Sequence, residues 1–226
     1  MDNRRLNRSD LDSQPLPRFL VIEGPIGVGK TTLAGLLAES LSCDTLLEQA
    51  DKNPFLPKFY AGEKNAALAT QLFFLMQRAQ QLQTLRQDDL FAETRIADFL
   101  IDKDRLFAEV TLDADELALY DQVYQHLTLD TPRPDLVVYL QAPANVLLER
   151  IHKRGIGAEQ SITRDYLNQL NTAYARFFHY YEEAPLLIVN AADIDWVNNL
   201  GDYNNLLRYM LTISHGRHYY NPQPTL

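Results

Sequence analysis

The sequence has 226 residues, of which 46% are hydrophobic and 23% charged, a composition typical of one ordinary globular domain. Its formal net charge of −9 argues against broad binding to nucleic acid or to anionic membranes, because counterion release needs a basic surface. No apolar run approaches the roughly 18 residues that span a membrane, so we expect neither a nucleic-acid partner nor a membrane partner.

The first 17 residues, MDNRRLNRSDLDSQPLP, are polar and end in prolines. They lack the apolar middle of a signal peptide. We therefore predict a disordered leader over residues 1–17, a single domain over residues 18–226 and a cytoplasmic protein.

Strand-like and helix-like segments alternate along the rest of the chain. The predicted strands, in chain order, are Phe19–Glu23, Leu46–Glu48, Ile96–Ile101, Leu136–Leu140 and Leu186–Asn190. The predicted helices are Thr31–Leu41, Asn65–Arg86, Arg105–Leu127, Ala144–Arg154, Ser161–Tyr181 and Asn199–Ile213. This alternation indicates βαβ units, so we predict an α/β domain of three layers, with a parallel sheet flanked by helices.

The first predicted strand leads directly into a phosphate-binding loop. The segment GPIGVGKT, residues 24–31, matches the P-loop pattern, with a strand before it and a helix after it. Its glycines let backbone amides surround phosphate oxygens, and the positive end of the helix faces the same charge. Lys30 should reach the outer phosphates, and the Thr31 hydroxyl should help to hold Mg²⁺. The residues predicted to bind the nucleotide are Gly24, Gly27, Val28, Gly29, Lys30, Thr31 and Thr32.

A P-loop alone does not distinguish a kinase from other proteins that bind nucleoside triphosphates. None of the nine glycines has an aspartate three residues before it, and no [NT]-K-x-D segment occurs, so the motifs of a GTPase switch are absent. A motor or assembly ATPase would usually be larger and have an apolar strand that ends in acidic residues. Here the run Leu136–Leu140 ends at Gln141. Transfer to a small acceptor is therefore the leading interpretation.

Glu48 is the first candidate for chemistry on that acceptor. It ends the second predicted strand, and in a parallel sheet this strand end lies at the same edge as the phosphate loop. A carboxylate there can accept the proton of an attacking hydroxyl. Taken alone, Glu48 is more simply interpreted as an ordinary charge at the end of a strand.

Two polar residues lie in the apolar stripe of the predicted helix Asn65–Arg86. Gln71 and Arg78 are seven residues apart and share one helix face with Phe74. A glutamine and an arginine in an aromatic stripe can pair with the edge of a flat heterocycle. Periodicity alone favours a core helix with two polar residues at its rim.

Two arginines end the predicted helix Ala144–Arg154. Arg150 and Arg154 are four residues apart and lie on one face of this helix. They could clamp the transferred phosphoryl group and stabilise charge in the transition state. Without the P-loop, solvated surface arginines would be the preferred interpretation.

Together, these motifs resemble the deoxynucleoside kinase family, which includes deoxyguanosine, deoxyadenosine and deoxycytidine kinases. The P-loop, the acidic strand end, the Tyr60-x10-Gln71-x6-Arg78 spacing and an arginine-containing lid occur in the family's order between about Arg18 and Asn190. The resemblance implies the three-layer P-loop kinase fold with a short lid, ATP as phosphate donor and Mg²⁺. It also implies a homodimer, and the segment Arg105–Leu127 carries more apolar residues than one buried stripe needs, namely Leu112, Leu117, Leu119 and Tyr120.

The resemblance implies roles for individual residues. Glu48 matches the general base that takes the proton of the sugar 5′-hydroxyl. Tyr60 and Glu159 match the residues that bind the 3′-hydroxyl of the deoxyribose. Gln71 matches the residue that pairs with the base, and Arg78 the one beside it.

The sequence departs from the family at two positions. A third lid arginine is usual in the family, and Ile156 stands in its place. The family also has an acidic-Arg-Ser/Thr motif at the end of the third strand. Here Asp98 is a plausible indirect Mg²⁺ ligand, but Phe99 follows it instead of arginine. Candidates for the replacement charge are Lys103, Arg105 and Lys153.

We predict an enzyme of nucleotide salvage that phosphorylates a deoxynucleoside at its 5′-hydroxyl with ATP, the substrate being a purine, deoxyguanosine or deoxyadenosine. The amide of Gln71 could pair with adenine, guanine or cytosine, so the residues themselves leave the base open. Two alternatives remain: a nucleoside monophosphate kinase such as a thymidylate kinase, and a non-catalytic protein that keeps ATP binding. The losses at Phe99 and Ile156 favour the second alternative.

Overall fold

A computed structural model describes residues 4–11, 16–63, 65–87, 94–128 and 131–221. The strands are β1 Phe19–Glu23, β2 Asp44–Leu46, β3 Arg95–Ala97, β4 Leu136–Gln141, β5 Leu186–Asn190 and β6 Arg217–Tyr220. The helices are α1 Lys30–Leu41, α2 Leu56–Tyr60, α3 Ala66–Gln87, α4 Asp104–Thr111, α5 Ala114–Thr128, α6 Ala144–Arg154, α7 Arg164–Tyr180 and α8 Leu200–Met210. None of the described helices combines the length and the apolar character that crossing a membrane requires.

The strands form one parallel sheet in the order β2-β3-β1-β4-β5-β6. All five residues of β1 are buried, as expected for a central parallel strand whose two faces are both covered. β1 lies between β3 and β4, so its end meets theirs at one edge of the sheet. The phosphate loop and the polar residues that follow β2 and β3 are brought together at this edge. The predicted α/β fold is confirmed.

Several element bounds are confirmed, and two strand ends are wrong. β1, β5 and α6 have the predicted bounds. β2 ends at Leu46 and β3 at Ala97, earlier than predicted. The reason is local: the Asp98 amide donates to the Leu46 carbonyl at 3.1 Å, and the chain then turns into a 3-10 helix. Asp98 therefore follows β3 directly, and Glu48 follows β2 after one residue, Leu47.

The single helix predicted over Arg105–Leu127 is wrong, because two helices cover this segment. α4 ends where Leu112 adopts an extended backbone, with φ −99° and ψ 149°. Asp113 then accepts hydrogen bonds from the amides of Asp115 and Glu116, at 3.0 Å and 2.9 Å. The Glu116 carboxylate accepts from the Asp113 amide at 3.2 Å. This reciprocal pattern is a capping box, which begins a new helix.

The structure describes residues 4–11 and 16–17 of the predicted leader, and residues 8–11 have regular structure. They form a 3-10 helix in which Leu11 is buried. The Leu6 amide donates to Asn204 on α8, and the Asn204 side chain donates to the Arg4 carbonyl, both at 3.0 Å. An apolar anchor and two hydrogen bonds thus offset the entropy cost of ordering this segment. Residues 1–3 and 12–15 of the leader lie outside the described residues.

Two elements were not predicted. α2 is short and has a proline in its first turn. β6 adds an edge strand beside β5, where Leu186 is in register with Arg217. Gly216, at φ 74°, provides the backbone conformation that turns the chain into this strand.

Candidate active site

The phosphate loop connects β1 to α1, and two of its glycines are required by the space around them. A Cβ on Gly24 would lie 2.5 Å from the Leu140 carbonyl oxygen. A Cβ on Gly27 would lie 2.8 Å from Ile151 Cγ1 on α6. Both glycines have positive φ values, 153° and 83°. The loop therefore packs tightly against β4 and α6, and this packing fixes its curvature.

The side chain of Lys30 folds over the loop that precedes it. Its Nζ donates to the Gly24 carbonyl at 2.8 Å and more weakly to the Pro25 carbonyl at 3.4 Å. Val28 is buried, and Gly29 and Thr32 line an adjacent groove. The residues predicted to bind the nucleotide thus form one continuous turn around the start of α1.

Asp98 links the phosphate loop to the acceptor side of the site. Its Oδ2 accepts a hydrogen bond from Thr31 Oγ1 at 2.5 Å, and its Oδ1 accepts from the Glu48 amide at 2.6 Å. Asp98 is 1% exposed, and burial raises the pKa of its carboxyl. A hydroxyl and a carboxylate in contact beside a phosphate loop are oxygen ligands of the kind that Mg²⁺ prefers.

Glu48 is held by an arginine in the interior. Arg78, 3% exposed, forms ion pairs with Glu48 and with Asp104 at the start of α4. Burial alone would raise the pKa of Glu48, but the positive charges of Arg78, Lys103 and Lys30 outweigh it and lower that pKa to about 2. Glu48 is therefore ionised throughout the neutral range and can accept a proton.

One cavity brings together ten of the fifteen predicted site residues. Its lining includes Gly27, Lys30, Thr31, Glu48, Tyr60, Gln71, Arg78, Asp98, Arg154 and Glu159. Aromatic side chains complete the wall, with Phe59 and Tyr166 near α2, Phe74 on α3 and Phe107 on α4. The cavity wall thus combines charged side chains with aromatic surface.

The predicted acceptor residues lie around this cavity with defined partners. Gln71 is 3% exposed, and its Nε2 donates to Thr111 Oγ1 at 3.2 Å, which fixes the orientation of the amide. Burial raises the pKa of the Tyr60 phenol well above its usual value. Glu159 accepts a hydrogen bond from Arg154 at 2.5 Å across the lid.

The two lid arginines, Arg150 and Arg154, lie in different parts of the site. Arg154 lines the cavity, but Arg150 lies only in the adjacent groove. The guanidinium of Arg150 donates to the carbonyls of Val28 and Ala191, at 3.1 Å and 2.8 Å. Trp196 lines the same groove. Arg150 therefore braces the phosphate loop from the adjacent groove.

The three candidates for the replacement charge differ in location. Lys103 is 1% exposed and lines the cavity. Arg105 is bound on the surface to Glu109 and Asp121. Lys153 lines the groove beside Arg150.

Two buried carboxylates of the site were not predicted. Asp104 is the second partner of Arg78. Glu23 accepts hydrogen bonds from the amides of Gly24 and Leu100, at 2.7 Å and 2.8 Å. A signal for Glu23 exists in the sequence, since it is a charge that ends the apolar run FLVI directly before the loop. Asp104 has no comparable signal, because it lies in a run of alternating charges.

Comparisons with known proteins agree with this geometry. The family model described as deoxynucleoside kinase matches residues 20–213. A deoxyguanosine kinase of Bacillus subtilis (strain 168) is 36% identical over 197 residues, which are 85% of this chain and 95% of that protein. A deoxyadenosine kinase of Lactobacillus acidophilus is 29% identical over 205 residues, with coverage of 84% and 94%. The solved structure of a deoxyadenosine kinase from M. mycoides with bound dATP matches with a TM-score of 0.73 at 25% identity, covering 86% of this chain and 99% of that one.

Proposed function

The chain belongs to the deoxynucleoside kinase family, and we propose that it transfers the γ-phosphoryl group of ATP to the 5′-hydroxyl of a purine deoxynucleoside. One observation carries the proposal: the phosphate loop, Glu48 and the predicted acceptor residues line the same cavity. A nucleotide on the loop and an acceptor beside Glu48 would face each other across it. Holding two reactants in this way supplies much of the catalysis of phosphoryl transfer.

Glu48 is the general base of the proposed reaction. The bond that forms joins the sugar O5′ to the γ-phosphorus, and the bond that breaks joins this phosphorus to the oxygen bridging the β- and γ-phosphates. The proton of the 5′-hydroxyl passes to Glu48, whose carboxylate is ionised at neutral pH because three cations surround it. Lys30 and Arg154 then offset the charge that develops on the transferred group.

Thr31 and Asp98 are the residues that would hold Mg²⁺. They supply oxygen atoms that already lie 2.5 Å apart through a hydrogen bond, and the donor set therefore fits a hard cation. Mg²⁺ bound there supplies neutralising charge to the outer phosphates. The roles of Gly24, Gly27, Val28, Gly29 and Thr32 are to present backbone amides and the helix start to those phosphates.

The acceptor end of the cavity suits a flat base on a deoxyribose. Phe74 and Phe107 offer aromatic surface, and the Gln71 amide offers both a donor and an acceptor to a base edge. Tyr60 and Glu159 line the same cavity, and we assign them to the 3′-hydroxyl of the deoxyribose. The relatives named above as deoxyguanosine and deoxyadenosine kinases favour a purine.

A nucleoside monophosphate kinase would need cations that are free for the acceptor phosphate. Arg78 is paired with two carboxylates and Arg154 with Glu159. Both cations are therefore neutralised within the site. Arg78 and Arg154 are thus unavailable to an acceptor phosphate, but Lys103 also lines the cavity, so the choice of an uncharged acceptor rests on the relatives named above.

The decisive experiment incubates the purified protein with ATP, Mg²⁺ and each of the four deoxynucleosides, with thymidylate in a fifth reaction. We expect monophosphates from deoxyguanosine or deoxyadenosine, and no product from the Lys30→Ala protein, which should remain folded by circular dichroism. Formation of product from thymidylate alone would support the monophosphate kinase. The absence of product in every reaction would support a non-catalytic ATP-binding protein.

We also propose that the protein is a homodimer formed through α3 and α5, which pack side by side. Of the apolar residues in α5, Tyr120 is fully buried within the chain, whereas Leu119 is 48% exposed. Met76 on α3 is 60% exposed. A second copy of the chain would cover these two side chains.

A further inference from the structure

The cations of the acceptor cavity differ in how closely they are paired. Those that line it among the described residues are Lys30, Arg78, Lys103 and Arg154. Arg78 has two carboxylate partners. Arg154 pairs with Glu159 at 2.5 Å, and Lys30 donates to a loop carbonyl at 2.8 Å. Each of these three cations thus has at least one close polar partner.

Lys103 is the remaining cation, and its polar contacts are long. Its Nζ lies 3.4 Å from Glu23 Oε1 and 3.4 Å from the Tyr174 hydroxyl, beyond the range of about 2.7–3.2 Å that is usual for N–H···O bonds. An ammonium group has three N–H donors. Since the side chain lines the cavity and is 1% exposed, it retains donor capacity toward whatever enters there.

Glu23 has hydrogen-bond partners without Lys103. It accepts from the amides of Gly24 and Leu100 at 2.7 Å and 2.8 Å, and from the Tyr174 hydroxyl at 2.9 Å. The lysine is therefore not needed to satisfy the oxygens of this carboxylate. The ammonium also lies 4.6 Å from the centroid of the Phe107 ring, but a ring face does not use up its N–H donors, which stay open to a further hydrogen-bond partner.

The charge of Lys103 persists near neutral pH. Burial lowers the pKa of its ammonium to about 8, with the carboxylate of Glu23 opposing the shift. The side chain is thus mostly protonated at pH 7. An incoming dianion would favour the protonated form further.

Lys103 also lies close in the sequence to position 99, where the resemblance implies an arginine. It ends the 3-10 helix that follows β3 and Asp98, four residues beyond Phe99, which is buried and uncharged. The position after Asp98, where the resemblance implies an arginine, thus contributes no charge. Lys103 contributes one from the next turn.

We propose that Lys103 lies at the 5′ end of the acceptor and binds the transferred phosphoryl group as it arrives, in place of the arginine missing at position 99. This assignment rests on the proposed deoxynucleoside kinase function. It makes Lys103 a catalytic residue whose partner is a dianion present in the product and absent from the nucleoside. Binding of the product therefore depends on Lys103 far more than binding of the nucleoside does.

The test compares these two ligands by calorimetry. Dissociation constants of deoxyguanosine and of deoxyguanosine 5′-monophosphate, and of the deoxyadenosine pair, are measured for the wild type, Lys103→Met and Lys103→Arg. Loss of a charge-assisted hydrogen bond corresponds to about a tenfold to hundredfold loss of affinity. We expect Lys103→Met to lose this factor for the monophosphate and less than about threefold for the nucleoside, while Lys103→Arg keeps most of the monophosphate affinity. Lys58→Met removes an exposed lysine on α2 and should change neither constant.

Equal losses for both ligands in Lys103→Met would overturn the proposal, because they indicate a role in folding or packing alone. An equally large loss in Lys103→Arg would also overturn it, since the positive charge would then be irrelevant. If the wild type binds both ligands, these outcomes leave the kinase function intact. A wild type that binds no deoxynucleoside and no monophosphate would contradict the kinase function together with the role of Lys103.

Discussion

Glu48 has the position and the ionised state of a general base, and its low pKa makes it a weak one. It lies beside the phosphate loop, and surrounding cations keep it ionised with a pKa of about 2. We expect Glu48→Gln to lower kcat about 10²–10⁴-fold, the usual contribution of proton transfer by a positioned side chain. The KM for ATP should barely change, because ATP would sit on the loop side. Initial rates on deoxyguanosine and deoxyadenosine measure the effect.

The control for this prediction is Glu63→Gln, which neutralises an exposed glutamate between α2 and α3 and should keep kcat within about twofold. A Glu48→Gln enzyme with wild-type kcat would remove Glu48 from the chemistry.

Arg78 has a structural role besides its place in the site. Its removal leaves Glu48 and Asp104 without their shared cation, and Asp104 is 0% exposed. We expect Arg78→Met to lower the free energy of unfolding by about 3–5 kcal/mol, as for other broken buried pairs. Arg105→Met is the matched control, since Arg105 also pairs with two carboxylates but is 45% exposed. It should cost about 0–1 kcal/mol. Urea titrations compare the two, and equal costs would contradict the prediction.

Substitution of Gln71 should change the KM for the deoxynucleoside and not the KM for ATP. Its amide lines the cavity on α3, and an unmade hydrogen bond to a buried base edge costs about 1–3 kcal/mol. We therefore expect Gln71→Ala to raise the KM for the deoxynucleoside about 5-fold to 150-fold with little change in the KM for ATP. Gln83→Ala, at an exposed position of the same helix, should change neither. Parallel changes in both constants would place Gln71 outside the acceptor site.

At the level of single residues, the sequence predicted which side chains meet at the sheet edge better than it predicted their ion-pair partners. Glu48 and Asp98 follow parallel strands, and the rule that strand ends meet at one edge is enough to bring them together. Lys103 and Arg105 could not be separated, because they are two residues apart and both are basic. Only the start of α4 turns Lys103 into the cavity and leaves Arg105 on the surface with Asp121.

At the level of elements, regular periodicity predicted α6 and β5 to the residue, whereas local side-chain chemistry was missed. The break between α4 and α5 was written in the sequence as Asp113-Ala-Asp-Glu116, a capping box. Apolar periodicity continues through it, so a rule based on periodicity alone joins the two helices. β6 could not be predicted in the same way, because an edge strand of four residues has little pattern of its own.

Helix α6 packs against the phosphate loop, and the contribution of this packing to stability can be tested. Gly27 has φ 83°, and an added Cβ would approach Ile151 to 2.8 Å and the Leu147 carbonyl to 3.0 Å. We expect Gly27→Ala to destabilise the fold by about 1–3 kcal/mol through strain and overpacking, and to raise the KM for ATP. Gly35→Ala on α1 meets no atom within 4 Å and should stabilise by about 0.5–1 kcal/mol, since alanine favours a helix. Thermal unfolding should therefore shift in opposite directions, and a shift in the same direction would contradict the packing.

At the level of the whole molecule, residues 4–11 and strand β6 are held by contacts with distant parts of the chain. Residues 4–11 bond to α8, and β6 extends the sheet beyond β5. Neither segment has the periodicity from which the central elements were predicted, since each is ordered by contacts with distant parts of the chain. The sequence did not predict the structure of these two segments, because non-local contacts stabilise them.

The last prediction concerns the proposed homodimer. Met76 on α3 and Leu119 on α5 are exposed by 60% and 48%, and burying such side chains against a second copy is worth about 1.5–3 kcal/mol each. We expect the wild type to sediment as a dimer and Met76→Glu/Leu119→Glu to sediment as a folded monomer, because the new carboxylates would face each other across the interface. Tyr180→Glu, at a 75% exposed position on α7, carries the same charge elsewhere and should stay dimeric. A wild type that remains monomeric across a wide concentration range, or a double variant that remains dimeric, would exclude this interface.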